Sequence, residues 1–271
     1  MFIVLEGIDG CGKTTQANLL SNFLTEEGYS VFLTAEPSNN KIGKFIKKIL
    51  SSDYKLDPRA LALLFTADRY EHIINEIKPA ISRGMIVISE RYYYSTIAYQ
   101  AAQGVDVEFL ENINSFAIRN KPDLTILLDI KPEMAIPNIR EKDKKFREMV
   151  EKAYKKYENA RRHYLRNRRA LYGKIAEKKA IRELLELYKK FELAEDEYER
   201  EKKKYLRFEK FEKPTTLEAN KKNYEKFLSR VRENYLRFER DENVVRINAS
   251  KSKELVFDDI KREVSRILYS Q

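Results

Sequence analysis

The residues whose types and spacing could do chemistry are concentrated in the stretch Gly7–Thr15. Gly7, Gly12, Lys13 and Thr14 satisfy the pattern G-x-x-x-x-G-K-[ST], behind an apolar segment and ahead of a helical one. Glycines let the backbone fold around a phosphate chain, while consecutive N–H groups at a helix N-terminus face the anion. A lysine adds positive charge, and the threonine hydroxyl can bind Mg²⁺. The stretch therefore predicts a nucleoside-triphosphate site, and the match at both flanks argues against a fortuitous tight turn.

The predicted nucleotide-binding set takes in this loop and the first turn of the helix that follows. It consists of Gly7, Asp9, Gly10, Cys11, Gly12, Lys13, Thr14 and Thr15. Cys11 is the only cysteine, so an internal disulfide is excluded. Cys11 is either a small loop filler or a reactive thiol near a helix N-terminus, and the filler is the favoured interpretation.

Five short apolar segments, separated by helical patterns, predict the architecture that positions this loop. They are residues 2–5, 31–34, 85–88, 124–128 and 243–247. Strands that are apolar throughout and alternate with helices are typical of a parallel sheet covered on both faces. We expect an α/β fold of the P-loop NTPase type, with a five-stranded parallel sheet flanked by helices. The ligand should bind beyond the carboxyl ends of the strands.

The charge of the chain is unevenly distributed. Its 271 residues are 42% apolar and 35% charged, with a formal net charge of +10. Residues 145–210 hold 22 Lys and Arg against 13 Asp and Glu, and they contain one glycine, Gly173, and no proline. A basic helical segment inserted in a nearly neutral domain is the expected organisation. No apolar stretch reaches the roughly eighteen residues of a membrane span, and no secretion signal is present, so we expect a cytoplasmic protein.

Several further motifs, in the same order along the chain, resemble those of thymidylate kinases. They are Glu36-Pro37, LFTADR at 64–69, ERYYYSTIAYQ at 90–100, Leu127-Leu128-Asp129 followed by Pro132-Glu133, and Asn248-Ala249-Ser250. The resemblance covers residues 1–143 and 211–271. It implies a homodimeric enzyme of nucleotide biosynthesis that phosphorylates dTMP to dTDP with ATP and Mg²⁺.

The resemblance also implies roles in the acceptor site. Asp9 would hold the sugar 3′-hydroxyl, and Arg91 would bind the phosphate of dTMP through its planar, forked donors. Tyr99 would crowd the position of a ribose 2′-hydroxyl, and Gln100 would read the edge of the base. The full predicted substrate set is Asp9, Glu36, Phe65, Arg69, Arg91, Ser95, Tyr99 and Gln100.

Two of these assignments depend on the resemblance rather than on spacing. Phe65 would stack on thymine and Arg69 would hydrogen-bond a thymine carbonyl. Helical spacing alone favours Phe65 as a core residue, and Arg69 beside Asp68 could equally be a surface charge pair.

Phosphoryl transfer needs positioning and neutralisation of charge more than covalent help. The predicted catalytic residues are Lys13, Arg91, Asp9 and Arg140. Thr14 and Glu90 are the predicted metal residues, and Glu90 would orient either Arg91 or a metal-bound water.

The chain departs from the family pattern around the phosphates. Ala35 stands where an arginine is usual before Glu-Pro, and Ser38-Asn39 replaces two glycines. In the lid, which closes over ATP, Asn138 replaces a common arginine, so Arg140 is the candidate lid cation. Pro137 is expected to interrupt the lid helix, because proline in a helix interior costs about 3 kcal/mol.

Within the insertion, apolar residues at steps of three and four predict two long helices with a coiled-coil-like seam. Gly173 would turn them into an antiparallel hairpin, and a third helix would cover 216–240. The predicted domains are a kinase-like unit, 1–143 and 211–271, and an inserted unit, 144–210. The sequence YLRFE occurs at both 205–209 and 235–239, which indicates either duplication or an engineered graft.

Two functions from different classes account for these features. The favoured one is a dTMP kinase with a helical insertion in its lid. The alternative is a scaffold or binding protein whose helical bundle holds a partner and whose catalysis is impaired. Interspersed acids argue against nucleic acid as that partner and leave a protein partner for the bundle open.

Overall fold

A computed structural model describes residues 1–50, 54, 56–172, 185–186, 188–190, 192–197 and 219–269. The chain divides into two compact units. The larger joins Met1–Ile139 with Pro214–Gln271, and the smaller is Arg140–Lys213. No helix among the described residues is long and apolar enough to cross a membrane.

The larger unit is built on a five-stranded sheet in which all neighbouring strands are parallel. The strands are β1 (Phe2–Glu6), β2 (Val31–Ala35), β3 (Ile86–Glu90), β4 (Leu124–Asp129) and β5 (Val244–Asn248), in the order β2-β3-β1-β4-β5. The central strand β1 is buried along its whole length. The predicted α/β fold with a five-stranded parallel sheet is confirmed.

Helices follow the strands and cover the sheet. They are α1 (Lys13–Glu26), α2 (Lys41–Leu50), α3 (Pro58–His72), α4 (Lys78–Ser82), α5 (Tyr93–Ala102), α6 (Val107–Ile113), α7 (Ser115–Ile118), α8 (Pro132–Tyr172), α9 (Ala219–Leu236) and α10 (Lys253–Leu268). A π-helical turn, Ile73–Ile77, joins α3 to α4, and a 3₁₀ turn, Arg237–Arg240, follows α9.

Local sequence explains where these helices start and which face they bury. Asp57 caps α3 by accepting from the N–H of Arg59 at 2.8 Å, and Pro58 follows at the first helical position. The closing helix α10 buries Val256, Ile260 and Val264, whose spacing of four places them on one face.

The lid helix and the predicted third helix of the bundle both differ in extent from what the sequence predicts. The interruption expected at Pro137 is wrong, since α8 continues through it. Pro137 lies in the second turn, where the missing N–H removes a single intrahelical bond. The third helix, expected over 216–240, is described from Ala219 and ends in the 3₁₀ turn. Its predicted start lies outside the described residues.

In the smaller unit, the described contacts pair α8 with residues 188–197 in antiparallel order. The ring of Tyr164 lies 5.9 Å from that of Tyr188, and Lys156 forms an ion pair with Glu197. The predicted turn at Gly173 lies outside the described residues, and the assignment of this unit as a lid insertion stays a prediction.

Candidate functional site

The phosphate loop leaves the end of β1 and enters α1 at Lys13. The Lys13 ammonium lies inside the loop, where it donates to the carbonyl oxygens of Gly7 at 3.0 Å and Ile8 at 2.9 Å. Lys13 is only 4% exposed. A cation held by loop carbonyls at a helix N-terminus is placed to meet an incoming phosphate.

Two loop glycines are required by close approach as well as by conformation. A Cβ at Gly7 (φ 140°) would lie 2.6 Å from the carbonyl oxygen of Leu128. A Cβ at Gly10 (φ 80°) would lie 2.4 Å from that of Ala135. Any side chain at either position would therefore move the loop away from β4 or from the start of α8.

Cys11 is buried in the same loop. Burial raises the pKa of its thiol, although Lys13 and Arg91 act in the opposite direction. A raised pKa disfavours the reactive thiolate, which supports the interpretation of Cys11 as a loop filler.

The structure brings the two predicted metal residues together. The Thr14 hydroxyl donates to the Glu90 carboxylate at 2.8 Å, which joins the start of α1 to the end of β3. A hydroxyl and a carboxylate are oxygen ligands of the kind Mg²⁺ prefers, and Mg²⁺ usually keeps several waters and substrate phosphates besides. Among the described residues no group of three or more His, Cys, Asp or Glu could hold a metal ion.

Arg91, directly after β3, lies beside the phosphate loop. Its guanidinium forms an ion pair with Asp9, donates to the Ser95 hydroxyl at 3.0 Å, and lies 5.0 Å from the ring centroid of Tyr99. Its backbone has φ 73°, a left-handed conformation that is uncommon for a residue other than glycine. Arg91 thus contacts three other residues of the predicted site, Asp9, Ser95 and Tyr99.

Arg69 is almost completely buried, at 1% exposure. It donates to the Glu36 carboxylate at 2.8 Å, the Asn114 side chain at 2.5 Å and the Thr96 hydroxyl at 3.0 Å. The alternative of a solvated surface pair with Asp68 does not fit this burial, and the role of Arg69 toward thymine stays a prediction. Phe65, one turn earlier on α3, is partly exposed.

Gln100 is buried at 3% exposure, and its side-chain oxygen has no hydrogen-bond partner in the described structure. A buried polar atom without a partner is costly unless a ligand or water satisfies it. This orphaned atom fits a residue that contacts the edge of a base. Tyr99, the residue before it, is only partly buried.

The loop after β2 has its own polar support despite its unusual sequence. The N–H and hydroxyl of Ser38 both donate to Asp68, at 2.7 and 2.6 Å. His72 is buried beside Glu36 at 3.3 Å and Thr34 at 2.8 Å.

Comparison with known proteins identifies the family. A sequence model described as "Thymidylate kinase" matches residues 5–191. The chain belongs to the thymidylate kinase family. A protein named "Probable thymidylate kinase" from Pyrococcus horikoshii is 49% identical over 144 residues, which are 51% of this chain and 69% of that protein. One of the same name from Thermococcus kodakarensis is 42% identical over 174 residues, 61% of this chain and 83% of the relative.

These matches confirm the resemblance seen in the sequence and define the chemistry of the site. Thymidylate kinases use ATP and Mg²⁺ and transfer a phosphoryl group to dTMP. The family match extends to residue 191, through most of the segment that the sequence analysis assigned to an insertion. The boundaries of that insertion therefore stay a prediction.

The lid residue that differs from the thymidylate kinase pattern contacts the phosphate loop. The Asn138 side chain donates to the carbonyl oxygen of Gly10 at 2.8 Å. The Arg140 side chain lies outside the described residues, so its role as the lid cation stays a prediction.

Sequence reasoning assigned no role to three polar residues that the structure holds in specific contacts. Glu6 is a fully buried carboxylate, Asn114 accepts from Arg69, and Asp129 binds two arginines. A signal existed for Glu6 and Asp129, because each is a carboxylate that ends an otherwise apolar strand. Asn114 offered none, since it follows a short helix whose position depends on packing.

Proposed function

We propose that this chain transfers the γ-phosphoryl group of ATP to the 5′-phosphate of dTMP, giving dTDP. The observation that carries the proposal is the ion pair between Asp9 of the phosphate loop and Arg91 after β3. It brings an arginine suited to an acceptor phosphate against the loop suited to a donor triphosphate, at adjacent carboxyl ends of β1 and β3.

On the donor side, the N–H groups of the loop would hold the β- and γ-phosphates, and Lys13 would move from its carbonyl partners toward them. Mg²⁺ bound near Thr14 and Glu90 would offset charge on the same phosphates. Exchange of a carbonyl contact for a phosphate contact strengthens the interaction of Lys13, because both partners are then charged.

On the acceptor side, Arg91 would leave Asp9 to bind the dTMP phosphate bidentately, which frees Asp9 for the sugar 3′-hydroxyl. Phe65, Arg69 and Gln100 would contact thymine. Tyr99 would exclude a 2′-hydroxyl, which favours deoxynucleotides. In-line attack by the acceptor oxygen on the γ-phosphorus then needs only correct placement and charge compensation.

The scaffold alternative is not favoured. It requires a degenerate site, whereas Lys13, Thr14 and Arg91 are present and held by specific contacts. A protein partner for the helical unit remains a separate proposal, as do its natural or engineered origin and the predicted cytoplasmic location.

We also propose a homodimer formed through α2 and α3. Three exposed apolar side chains, Leu63, Tyr70 and Ile74, follow each other at spacings of seven and four on α3 and the turn after it, and Phe45 is exposed on the adjacent α2. An apolar stripe on neighbouring helices is the kind of surface that an isologous interface buries. Sedimentation equilibrium should give twice the chain mass, and Tyr70→Glu should shift the chain toward monomer.

The function is tested by ADP release from ATP and Mg²⁺ with dTMP, dUMP, UMP, CMP and AMP as acceptors. We expect dTMP to be phosphorylated fastest. We expect Lys13→Ala to reduce turnover about a hundredfold to a thousandfold, since one electrostatic contact to a developing charge is worth about 10²–10³ in rate. Lys121→Ala is the matched control, because Lys121 is an exposed lysine at the opposite end of β4. Preference for another acceptor, or full turnover by Lys13→Ala, would contradict the proposal.

A further inference from the structure

Glu6 occupies an unusual position directly before the phosphate loop. It is the last residue of β1, it is 0% exposed, and its carboxylate is surrounded by donors. One oxygen accepts from the N–H of Tyr92 at 2.7 Å and, at 3.3 Å, from that of Ser95. The other accepts from the Ser95 hydroxyl at 2.6 Å and the Tyr235 hydroxyl at 2.9 Å. The two N–H groups can only donate and both hydroxyls can donate, so all four contacts suit the ionised carboxylate, which can only accept.

Each of these partners leads to Arg91. Tyr92 is the next residue in the chain, and the hydroxyl of Ser95 accepts from the Arg91 guanidinium at 3.0 Å. The Tyr235 hydroxyl accepts from the same guanidinium nitrogen at 3.5 Å. The left-handed backbone of Arg91 persists only where its surroundings determine it, and Glu6 fixes the backbone immediately after it.

The direction of the hydrogen bonds gives Glu6 a specific effect. When the hydroxyls of Ser95 and Tyr235 donate to the carboxylate, their oxygen lone pairs are left to accept from Arg91. Burial raises the pKa of Tyr235, with the charge of Glu6 adding to the rise, so this hydroxyl keeps its proton. An acceptor-only group at Glu6 therefore orients two hydroxyls toward the guanidinium.

We propose that Glu6 and Tyr235 are positioning residues that hold Arg91 ready for the phosphate of the acceptor nucleotide. The proposal rests on the function proposed above and deepens it. Tyr235 contacts Arg91 directly, and Glu6 reaches it through Ser95 and Tyr235. Their loss should weaken acceptor binding more than ATP binding.

Glu6→Gln tests the hydrogen-bond direction at nearly constant shape. If the amide nitrogen faces the hydroxyls, it donates to them and turns their protons toward Arg91. If it faces the backbone, it opposes the N–H of Tyr92. Glu6→Asp keeps the acceptor character with a shorter reach and should recover part of the loss. Tyr235→Phe removes a single hydroxyl and is the milder variant should Glu6→Gln fail to fold.

The measurement is calorimetric binding of dTMP and, separately, of a non-hydrolysable ATP analogue, together with KM and kcat for both substrates. We expect Glu6→Gln to weaken dTMP binding about tenfold or more, since a hydrogen bond to a charged group is worth roughly a factor of ten in affinity. Tyr235→Phe should weaken dTMP binding about threefold. Binding of the ATP analogue should change less than about twofold in both variants. Glu108→Gln and Tyr269→Phe are matched exposed controls and should bind like the unaltered chain.

The outcomes separate this inference from the proposed function. If the unaltered chain phosphorylates dTMP but both variants bind dTMP normally, the positioning role is overturned and the function stands. If the variants lose dTMP and ATP analogue equally, the cluster is only structural and the positioning role is again overturned. If the unaltered chain does not phosphorylate dTMP, the proposed function itself fails.

Discussion

Glu6 and Asp129 are carboxylates that end neighbouring parallel strands, yet the fold treats them in opposite ways. Glu6 is completely buried among uncharged donors, and burial outweighs those bonds and the charge of Arg91 to raise its pKa. The Asp129 side chain is 10% exposed and pairs with Arg232 at 2.6 Å and Arg246 at 2.8 Å. Burial opposes ionisation there too, but hydrogen bonds from the two arginines outweigh it and lower the pKa of Asp129.

The difference shows that an acid at the end of a buried strand can fasten the same helix in two physically distinct ways. Tyr235 and Arg232 lie three residues apart on α9, so they project from one face of it. Glu6 holds that face through a buried hydroxyl, whereas Asp129 holds it through a partly solvated ion pair. Glu6 is linked to Arg91 through Ser95 and Tyr235, whereas Asp129 also pairs with Arg246 on β5. Glu6 therefore connects α9 to the site, and Asp129 connects it to β5.

The largest expected effect that sharpens this contrast is on global stability. Glu6→Ala leaves the N–H of Tyr92 and one hydroxyl without an acceptor, because the Ser95 N–H also donates to the Tyr92 carbonyl and the Ser95 and Tyr235 hydroxyls can bond to each other. Each such group costs about 1–3 kcal/mol, so we expect a loss of about 3 kcal/mol in the free energy of unfolding. Asp129→Ala should cost about 1 kcal/mol, because its arginines become solvated. Urea denaturation followed by circular dichroism measures both.

Glu108→Ala, an exposed carboxylate on α6, is the control for this pair and should change stability by less than about 0.5 kcal/mol. Equal losses for Glu6→Ala and Asp129→Ala would show that burial does not distinguish the two anchors.

The second prediction is that the two acids contribute to stability with opposite pH dependence. The folded state raises the pKa of Glu6 above 4.5, so the folded chain binds more protons there and this contribution falls as pH rises from 4.5 through the raised pKa. The folded state lowers the pKa of Asp129 below 3.8, so its contribution is present above 3.8 and is lost as pH falls through the lowered pKa.

Unfolding free energies measured from acid to neutral pH for Glu6→Gln and Asp129→Asn test these signs. The groups that face each acid are Arg91, Tyr92, Ser95 and Tyr235 at Glu6 and the two arginines at Asp129. If the unfolding free energies of both variants departed from those of the unaltered chain with the same pH dependence, the predicted difference between the two acids would be wrong.

The smallest expected effect is on salt dependence. Raising salt from about 0.1 M to about 1 M shortens the Debye length from about 10 Å to about 3 Å, which screens partly exposed charges and leaves buried ones nearly unchanged. The stability cost of Asp129→Asn should therefore shrink by a few tenths of a kcal/mol, while that of Glu6→Gln stays constant. The same denaturation series at two salt concentrations tests this. If the stability cost of Glu6→Gln changed with salt, water would have to reach the Glu6 carboxylate in the unaltered chain.

The sequence by itself determined the parts of this protein that depend on local rules. Continuous apolar segments of strand length specify the buried strands, because a parallel sheet covered on both faces leaves no polar side. The spacing from Gly7 to Thr14 specifies the phosphate loop, because only glycines allow its turns and only a following helix presents its N–H groups. The family motifs then located Arg91, which the fold pairs with Asp9 of that loop, and Tyr99, whose ring lies beside the Arg91 guanidinium.

Tertiary structure alone decided which polar groups meet across long sequence separations. Glu6 and Tyr235 are 229 residues apart, and Asp129 and Arg232 are 103 apart. No periodicity encodes such pairs, since they form only when α9 returns to the sheet. Burial and pKa follow from the same packing, which is why two acids in like positions on adjacent strands acquire opposite electrostatics.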